Sequence, residues 1–238
     1  MDKVAILDKI VEMVTPLKPP VQAFEKSIRR TPFRILVSVL LSSRTRDPVT
    51  QKASESLFAA ADTPEKMMKL EENRIGKLIF PVGFYRQKAK QIKKLSQMLC
   101  ETNNCNVPDT FEGLRALPGV GRKTANLVLA LAFNQPAVCV DVHVFRISKR
   151  LGWASGKKPE QVEEELKKGF PPEQWNRLNY TLVGFGQTIC KPKPLCHRCS
   201  ITENCLYYQN VRTFLKKPSQ RTRSRHPQKL LIINNEKF

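Results

Sequence analysis

Apolar residues recur along this chain at helical spacing almost from its first position. Val4, Leu7, Ile10, Val11 and Val14 form one amphipathic stripe, closed by Pro16 and the pair Pro19-Pro20. The run 33–41 is apolar nearly all round, which predicts a helix buried on every side. Asp47-Pro48 and Thr63-Pro64 each read as an N-cap followed by proline at the first helical position, and Lys158-Pro159 and Pro172-Glu173 are weaker starts of the same kind. Helices follow, with Ser54, Leu57 and Phe58 facing inward on one, Ile92, Leu95 and Met98 on another, and Val162, Leu166 and Phe170 on a third. Only the runs 137–140 and 230–233 look β-like, and neither has a hairpin partner. The pattern predicts an all-α protein without internal repeats.

Composition changes this picture in three places. A chain of 238 residues holds one large domain or two modest ones. Its 41 Lys and Arg against 21 Asp and Glu leave a formal charge of +20, which favours a polyanionic partner because each neutralised phosphate releases condensed counterions. A ribosomal or membrane-surface protein carries a similar balance, so charge alone does not decide. No stretch approaches the ~20 apolar residues of a membrane span, and the start Met1-Asp2-Lys3-Val4 argues against a signal peptide. A cytoplasmic protein is expected, nucleoid-associated if the source is prokaryotic. Seven cysteines, four of them crowded between 190 and 205, read as a metal or cluster site in a reducing compartment rather than as a disulfide framework. From about Arg212 the composition turns to Lys216, Lys217, Arg221, Arg223, Arg225 and Lys229 among Ser, Pro, Gln and Thr. This is a basic tail, either solvated or gripping DNA backbone, with 230–233 hinting that its end docks.

Candidate chemistry begins at Leu117-Pro118-Gly119-Val120-Gly121-Arg122-Lys123. Gly119 and Gly121 permit positive φ and a close approach, and the helix starting near Arg122 would aim unpaired N–H groups and its positive dipole end at a phosphate. Followed by Arg122 and Lys123, the turn reads as a backbone-phosphate clamp. Lys123 reads equally as a solvated lysine in a first helical turn. Yet the positive end of a helix dipole disfavours the ammonium and so favours the neutral, nucleophilic amine that Schiff-base chemistry needs. Downstream lies Val138-Cys139-Val140-Asp141-Val142-His143-Val144-Phe145-Arg146. Asp141 reads first as an N-cap, of a helix whose inner face is Val142, Phe145 and Ser148; His143 reads as a hydrogen-bonded structural residue, and Cys139 as a buried small hydrophobe. Cys190, Cys196, Cys199 and Cys205 are separated by five, two and five residues. That spacing suits four-thiolate zinc and does not fit the compact ferredoxin run.

The hairpin stretch, the Val-Asp-x-His-x-x-Arg stretch and the cysteines, in that order, resemble the endonuclease III family of helix-hairpin-helix DNA glycosylases, over residues 31–205. The resemblance implies a bifunctional DNA N-glycosylase and abasic-site lyase of base excision repair. Lys123 would attack C1′ of the damaged nucleotide, and Asp141 would stabilise the developing positive charge on the sugar and help proton transfer. It implies a two-lobed fold with duplex DNA, carrying a damaged base or abasic site, across the cleft. Residues 1–24 would form an N-terminal helix packing with the cluster domain, 25–135 a six-helix barrel domain with the hairpin, 136–210 an iron–sulfur cluster domain and 211–238 the basic tail, in a monomer. The four cysteines would hold a structural [4Fe–4S] cluster. Their first gap is five residues where the family's is six, which alters the loop that would present Lys191, Lys193 and Arg198 to DNA.

Damage recognition would fall to Ser42-Ser43-Arg44-Thr45-Arg46-Asp47 and Gly83-Phe84-Tyr85. Arg44 stands where the family usually has a gap-filling glutamine; arginine can stack and donate several bonds, or it can contact phosphate. Phe84 is in line to insert beside the orphaned base, or serves as a core aromatic at a helix start. Oxidised pyrimidines are the family's usual substrates; uracil, mismatched thymine or oxidised purine are the other lesions open to this chain. A non-catalytic helix-hairpin-helix module and a zinc-stabilised RNA-binding protein are the alternatives from other classes.

Overall fold

The computed structural model describes residues 2–21 and 31–216, with side chains as far as 211. Every regular element among them is a helix. The basic tail beyond 216, including 230–233, lies outside the described residues, as does the expected boundary near residue 24.

The first apolar core is built on α2 (Pro32–Ser42). Its start is set by Thr31, whose hydroxyl accepts from Arg34 N at 3.3 Å, with Pro32 in the first turn. Phe33, Ile35, Leu36, Val37, Val39, Leu40 and Leu41 are each 5% exposed or less, as an all-round apolar helix requires. Around it lie α3 (Asp47–Ala60), α4 (Pro64–Lys69), α5 (Glu72–Ile79), α6 (Tyr85–Thr102), α7 (Phe111–Ala116) and α8 (Arg122–Phe133). Thr63 caps α4 as expected. The α3 helix begins at Asp47 itself, one residue early, and the Asp47 carboxylate accepts from Gln187 Nε2 at 3.2 Å instead of capping.

The second core joins the two ends of the described chain. Ile6, Leu7, Ile10 and Val14 of α1 (Lys3–Val14) pack with α9 (Val142–Leu151), α10 (Pro159–Gly169) and α11 (Trp175–Thr188), and α12 (Leu206–Lys216) lies against α9. The α12 helix thus runs past the point where the composition turns basic. The inner face of α9 differs from expectation. Val144, Ile147, Ser148 and Leu151 are buried, whereas Val142 is 64% exposed. Asp141 starts the helix, and the three- and four-residue periodicity from Val144 places Val142 on the opposite side.

Between the cores runs the segment 137–140, which reads as a strand and is none. Ala137, Val138, Cys139 and Val140 are all buried, so the segment has no solvent to satisfy its backbone. Asparagine side chains replace a partner strand: Asn176 Oδ1 accepts from Ala137 N at 3.0 Å, Asn126 Nδ2 donates to Val138 O at 3.0 Å and Asn179 Nδ2 donates to Cys139 O at 3.1 Å. A second departure is a disulfide between Cys100 and Cys105. The last turn of α6 closes back on itself, with both Asn103 N and Cys105 N donating to Leu99 O, and this returns Cys105 to Cys100.

The cores are tied by charge as well. Arg122 donates to Glu163 through Nε at 2.7 Å and Nη2 at 2.9 Å, and Lys167 adds a bond at 2.8 Å. Burial alone would raise the Glu163 carboxyl, but the bonds and charges of Arg122 and Lys167 hold it below its ordinary 4.5. Its contribution is therefore complete above 4.5 and is lost as pH falls through the lowered folded value. Glu163→Gln should cost about 2–3 kcal/mol in urea unfolding at neutral pH, under the full cost of breaking a buried pair because both cations keep some water. The gap from the parent should narrow as pH falls through the lowered folded value; a gap that stays constant would show that the ion pair is not its source.

Candidate active site and cysteine centre

The hairpin α7–turn–α8 is shaped by which of its residues can be buried. Leu117 and Val120 are each 5% exposed and pin the turn into the first core. Gly119 sits between them at φ +81, a backbone angle that favours glycine, with the end of the Gln91 side chain close against it. Gly121 is the N-cap of α8 and supplies no side-chain cap; a Cβ there would meet nothing nearer than Arg115 Nη1 at 4.0 Å. The first turn of α8 is thus open in front. Lys123 lies on it with its side chain exposed. Arg122, expected at a phosphate, has its guanidinium on Glu163 instead and over the Phe111 ring at 5.3 Å. Burial and charge pairing thus make its side chain a tie between the cores.

Asp141 stands at the N-terminus of the next helix and does cap it. Its Oδ1 accepts from His143 N at 2.9 Å and Val144 N at 2.8 Å. Oδ2 has no partner among the described residues, so the carboxylate is anchored by one oxygen and available through the other. The segment 137–140 lies between the two residues. Cys139, 1% exposed, donates its thiol to Lys123 O at 3.6 Å. Burial pushes that thiol up to about 12, and both Lys123 and Asp141 act on it electrostatically. The same two charges act on the His143 ring, which burial holds below its ordinary value despite the attraction of Asp141. A free amine and a fixed carboxylate therefore share one neighbourhood. His143 is structural: its ring packs against Gly186, where a Cβ would fall 2.3 Å from Nδ1, and Arg146 Nη2 lies 3.2 Å from the same nitrogen.

Arg146 and Arg150 carry α9 to the cysteine loop. Arg146 Nη2 donates to Cys190 O at 3.0 Å; Arg150 donates to Cys190 Sγ at 3.4 Å, Lys191 O at 2.7 Å and Pro192 O at 2.8 Å. Arg150 thus fixes the start of the five-residue gap, and Leu195 N closes it by donating to Ile189 O at 3.0 Å. Cys190, Cys196, Cys199 and Cys205 line a single cavity with Leu151, Phe185, Ile189 and Ile201. Burial and the mutual repulsion of the sulfurs push Cys199 up to about 11 and raise Cys196 and Cys205. Thiols raised in this way ionise together only around a positive centre. No three of these sulfurs lie within 4.8 Å of one another, whereas one tetrahedral zinc with Zn–S of ~2.3 Å would draw them to ~3.8 Å. Three ligand atoms do gather that closely at Glu65, Cys100 and Cys105, but those two sulfurs are bonded to each other. Lys191, Lys193 and Arg198 are exposed on the loop.

The two remaining loops lie together. Arg44 is exposed, at φ +53, with its guanidinium 5.4 Å from the centre of the Phe84 ring. Phe84 begins α6 at φ +58 and is 59% exposed, so it is no core aromatic. Sequence reasoning passed over Lys88, 6% exposed behind these loops. Its signal was a lysine on the apolar stripe of Ile92, Leu95 and Leu99, four residues before the first of them.

The profile of HhH-GPD superfamily base excision DNA repair proteins matches residues 37–172. Endonuclease III of Thermotoga maritima is 47% identical over 191 residues, covering 79% of this chain and 90% of that protein. Endonuclease III of Rickettsia conorii is 40% identical over 208 residues, covering 87% and 98%. Among solved structures, a trapped endonuclease III–DNA covalent intermediate superposes with a TM-score of 0.79 at 34% identity, over 87% of this chain and 96% of that one.

The Asp141 cap separates structure from charge. Asp141→Asn keeps an oxygen for the two backbone donors and should lower stability by under about 0.5 kcal/mol, whereas Asp141→Ala should cost about 1 kcal/mol. Denaturant titration of both checks this; equal losses would mean that the carboxylate does not cap α9.

Proposed function

This chain belongs to the endonuclease III branch of the HhH-GPD superfamily and is a base excision repair DNA glycosylase and abasic-site lyase; we propose that Lys123 and Asp141 carry its chemistry, on duplex DNA holding an oxidised pyrimidine. The observation that carries the assignment is the exposed Lys123 on an uncapped helix start, with the one-sidedly anchored Asp141 across the Cys139 segment.

The damaged nucleotide must leave the stack, because its C1′ is shielded within the duplex. As the glycosidic bond breaks, positive charge grows on the sugar, and the Asp141 oxygen not used by the cap stabilises it. The Lys123 amine, as free base, bonds to C1′; the base departs with the bonding pair, and ring opening gives an iminium linked through Nζ. The iminium draws electrons from the C2′–H bond. Loss of that proton expels the 3′ phosphate by β-elimination, and water then releases the unsaturated sugar from Lys123. The peptide N–H groups of Gly119, Gly121 and the α8 start hold a backbone phosphate, Lys191 and Lys193 lie along the strand, and Arg44 and Phe84 fill the space that the extruded nucleotide leaves. Members of this division of labour belong to both cores, and we assign the cleft between them to the duplex, bound by a monomer.

Cys190, Cys196, Cys199 and Cys205 fit a [4Fe–4S] cluster better than zinc, since they line one cavity and no three of their sulfurs gather within 4.8 Å of one another. Such a cluster, when bound, braces its loop and accepts or gives one electron. The purified protein should contain about four iron per chain and absorb broadly near ~400 nm; zinc in its place would overturn this assignment.

Duplexes carrying thymine glycol, uracil, mismatched thymine, an oxidised purine or an abasic site test the function directly, read for base release and strand nicking. Thymine glycol should be released and its strand nicked, and Lys123→Gln should retain binding while nicking falls at least about 10³-fold, the scale of a lost nucleophile. Release of another lesion in preference would replace the substrate; binding with neither release nor nicking would refute the catalytic roles of both residues.

A further inference from the structure

We propose that Lys88 is a positioning residue for damage recognition, clamping from behind the loops that carry Arg44 and Phe84 so that both side chains meet the duplex as one preset unit. This rests on the reading of those loops as DNA-facing.

Lys88 Nζ donates to Leu41 O at 2.9 Å, to Ser43 O, and to Thr45 Oγ1 at 3.4 Å. The first two are carbonyls at the C-terminal end of α2, where helical partners run out and the dipole is negative. An ammonium has three donors, and three oxygens receive them. Thr45 Oγ1 extends the clamp across to the second loop by accepting from Gly83 N at 3.2 Å. The two backbones touch there, since a Cβ on Gly83 would lie 2.6 Å from Arg44 O. Lys88 is also joined to the second loop through its own helix, its N–H donating to Phe84 O at 3.0 Å.

What the clamp holds is strained. Arg44 at φ +53 and Phe84 at φ +58 are the residues whose side chains face each other, and neither is glycine. Such conformations persist only where surrounding bonds over-determine them. Lys88 is moreover an expensive residue for its place. It continues the stripe of Ile92, Leu95 and Leu99, where methionine would pack without desolvating a charge, and burial pushes its pKa down to about 8. Enclosed at 6% exposure, it does not reach DNA. Among the described residues its side-chain bonds run to the end of α2 and to the loop that follows it, so it acts through Arg44 and Phe84.

An abasic site has no base to evict, whereas a paired lesion does, and this difference gives the test. Lys88→Met preserves volume and removes the donors; Thr45→Val removes only the bridging oxygen at a partly exposed position, and serves if Lys88→Met does not fold. Single-turnover base release from a thymine glycol duplex should fall about tenfold or more in Lys88→Met and less in Thr45→Val, while nicking of a preformed abasic site changes under about threefold in either. The fluorescence rise of 2-aminopurine placed opposite the lesion, which reports local unstacking, should shrink in the same order. Equal losses on both substrates, or full base release in a folded Lys88→Met protein, would overturn the proposal. A parent enzyme that nicks abasic sites but releases no base from any lesion would instead refute the glycosylase reading beneath it.

Discussion

Two apolar cores in this chain share one helix, and the bidentate contact of Arg122 with Glu163 is what makes them share it. The α8 helix packs its Ala125, Val128 and Leu129 into the first core, yet its opening residue is bound to α10 of the second. Glu163 is nearly buried and would not stay ionised there alone, so the tie exists only while Arg122 and Lys167 surround it. Because Lys123 follows Arg122 directly, whatever orients the cores also orients the amine. Asn126, one turn further along, holds the segment that leads to Asp141. The lysine and the carboxylate are thereby positioned by the same short stretch of helix, although they come from different helices.

This arrangement explains why neither residue is duplicated by its neighbours. Arg122 has Nε and Nη2 committed to Glu163, and the open peptide groups in front of Gly121 remain for a phosphate. Asp141 gives one oxygen to the α9 terminus and keeps the other, so its cap leaves room for the chemical role proposed for it. The recognition loops are organised separately, around Lys88 and the end of α2. The residues proposed for chemistry on the sugar and those proposed for selection of the base thus rest on different supports within one chain.

The helical fold was legible because helix formation here is a matter of local periodicity: the α2 run, the Thr63 cap and the buried stripe of α10 all follow from spacing. The segment 137–140 was not, because the groups that satisfy it, Asn126, Asn176 and Asn179, lie on two distant helices. The α9 face was misplaced by assigning the first apolar residue after the cap to the core, when the core begins at Val144. Lys123, Asp141 and the cysteines were visible as a resemblance in order and spacing, whereas residues alone left solvation, capping and zinc standing. Arg122 and Lys88 could not be placed from sequence, since a buried ion pair and a buried ammonium each depend on partners more than forty positions away. The Cys100–Cys105 bond was likewise hidden, in the closing turn of a single helix.

The most direct test of the central claim is to find which atom the DNA becomes attached to. Incubation of the protein with a thymine glycol or abasic duplex under borohydride should trap one covalent adduct, and digestion with mass spectrometry should locate the reduced sugar on Lys123. An adduct on another amine, or the same yield of adduct from Lys123→Gln, would contradict the account.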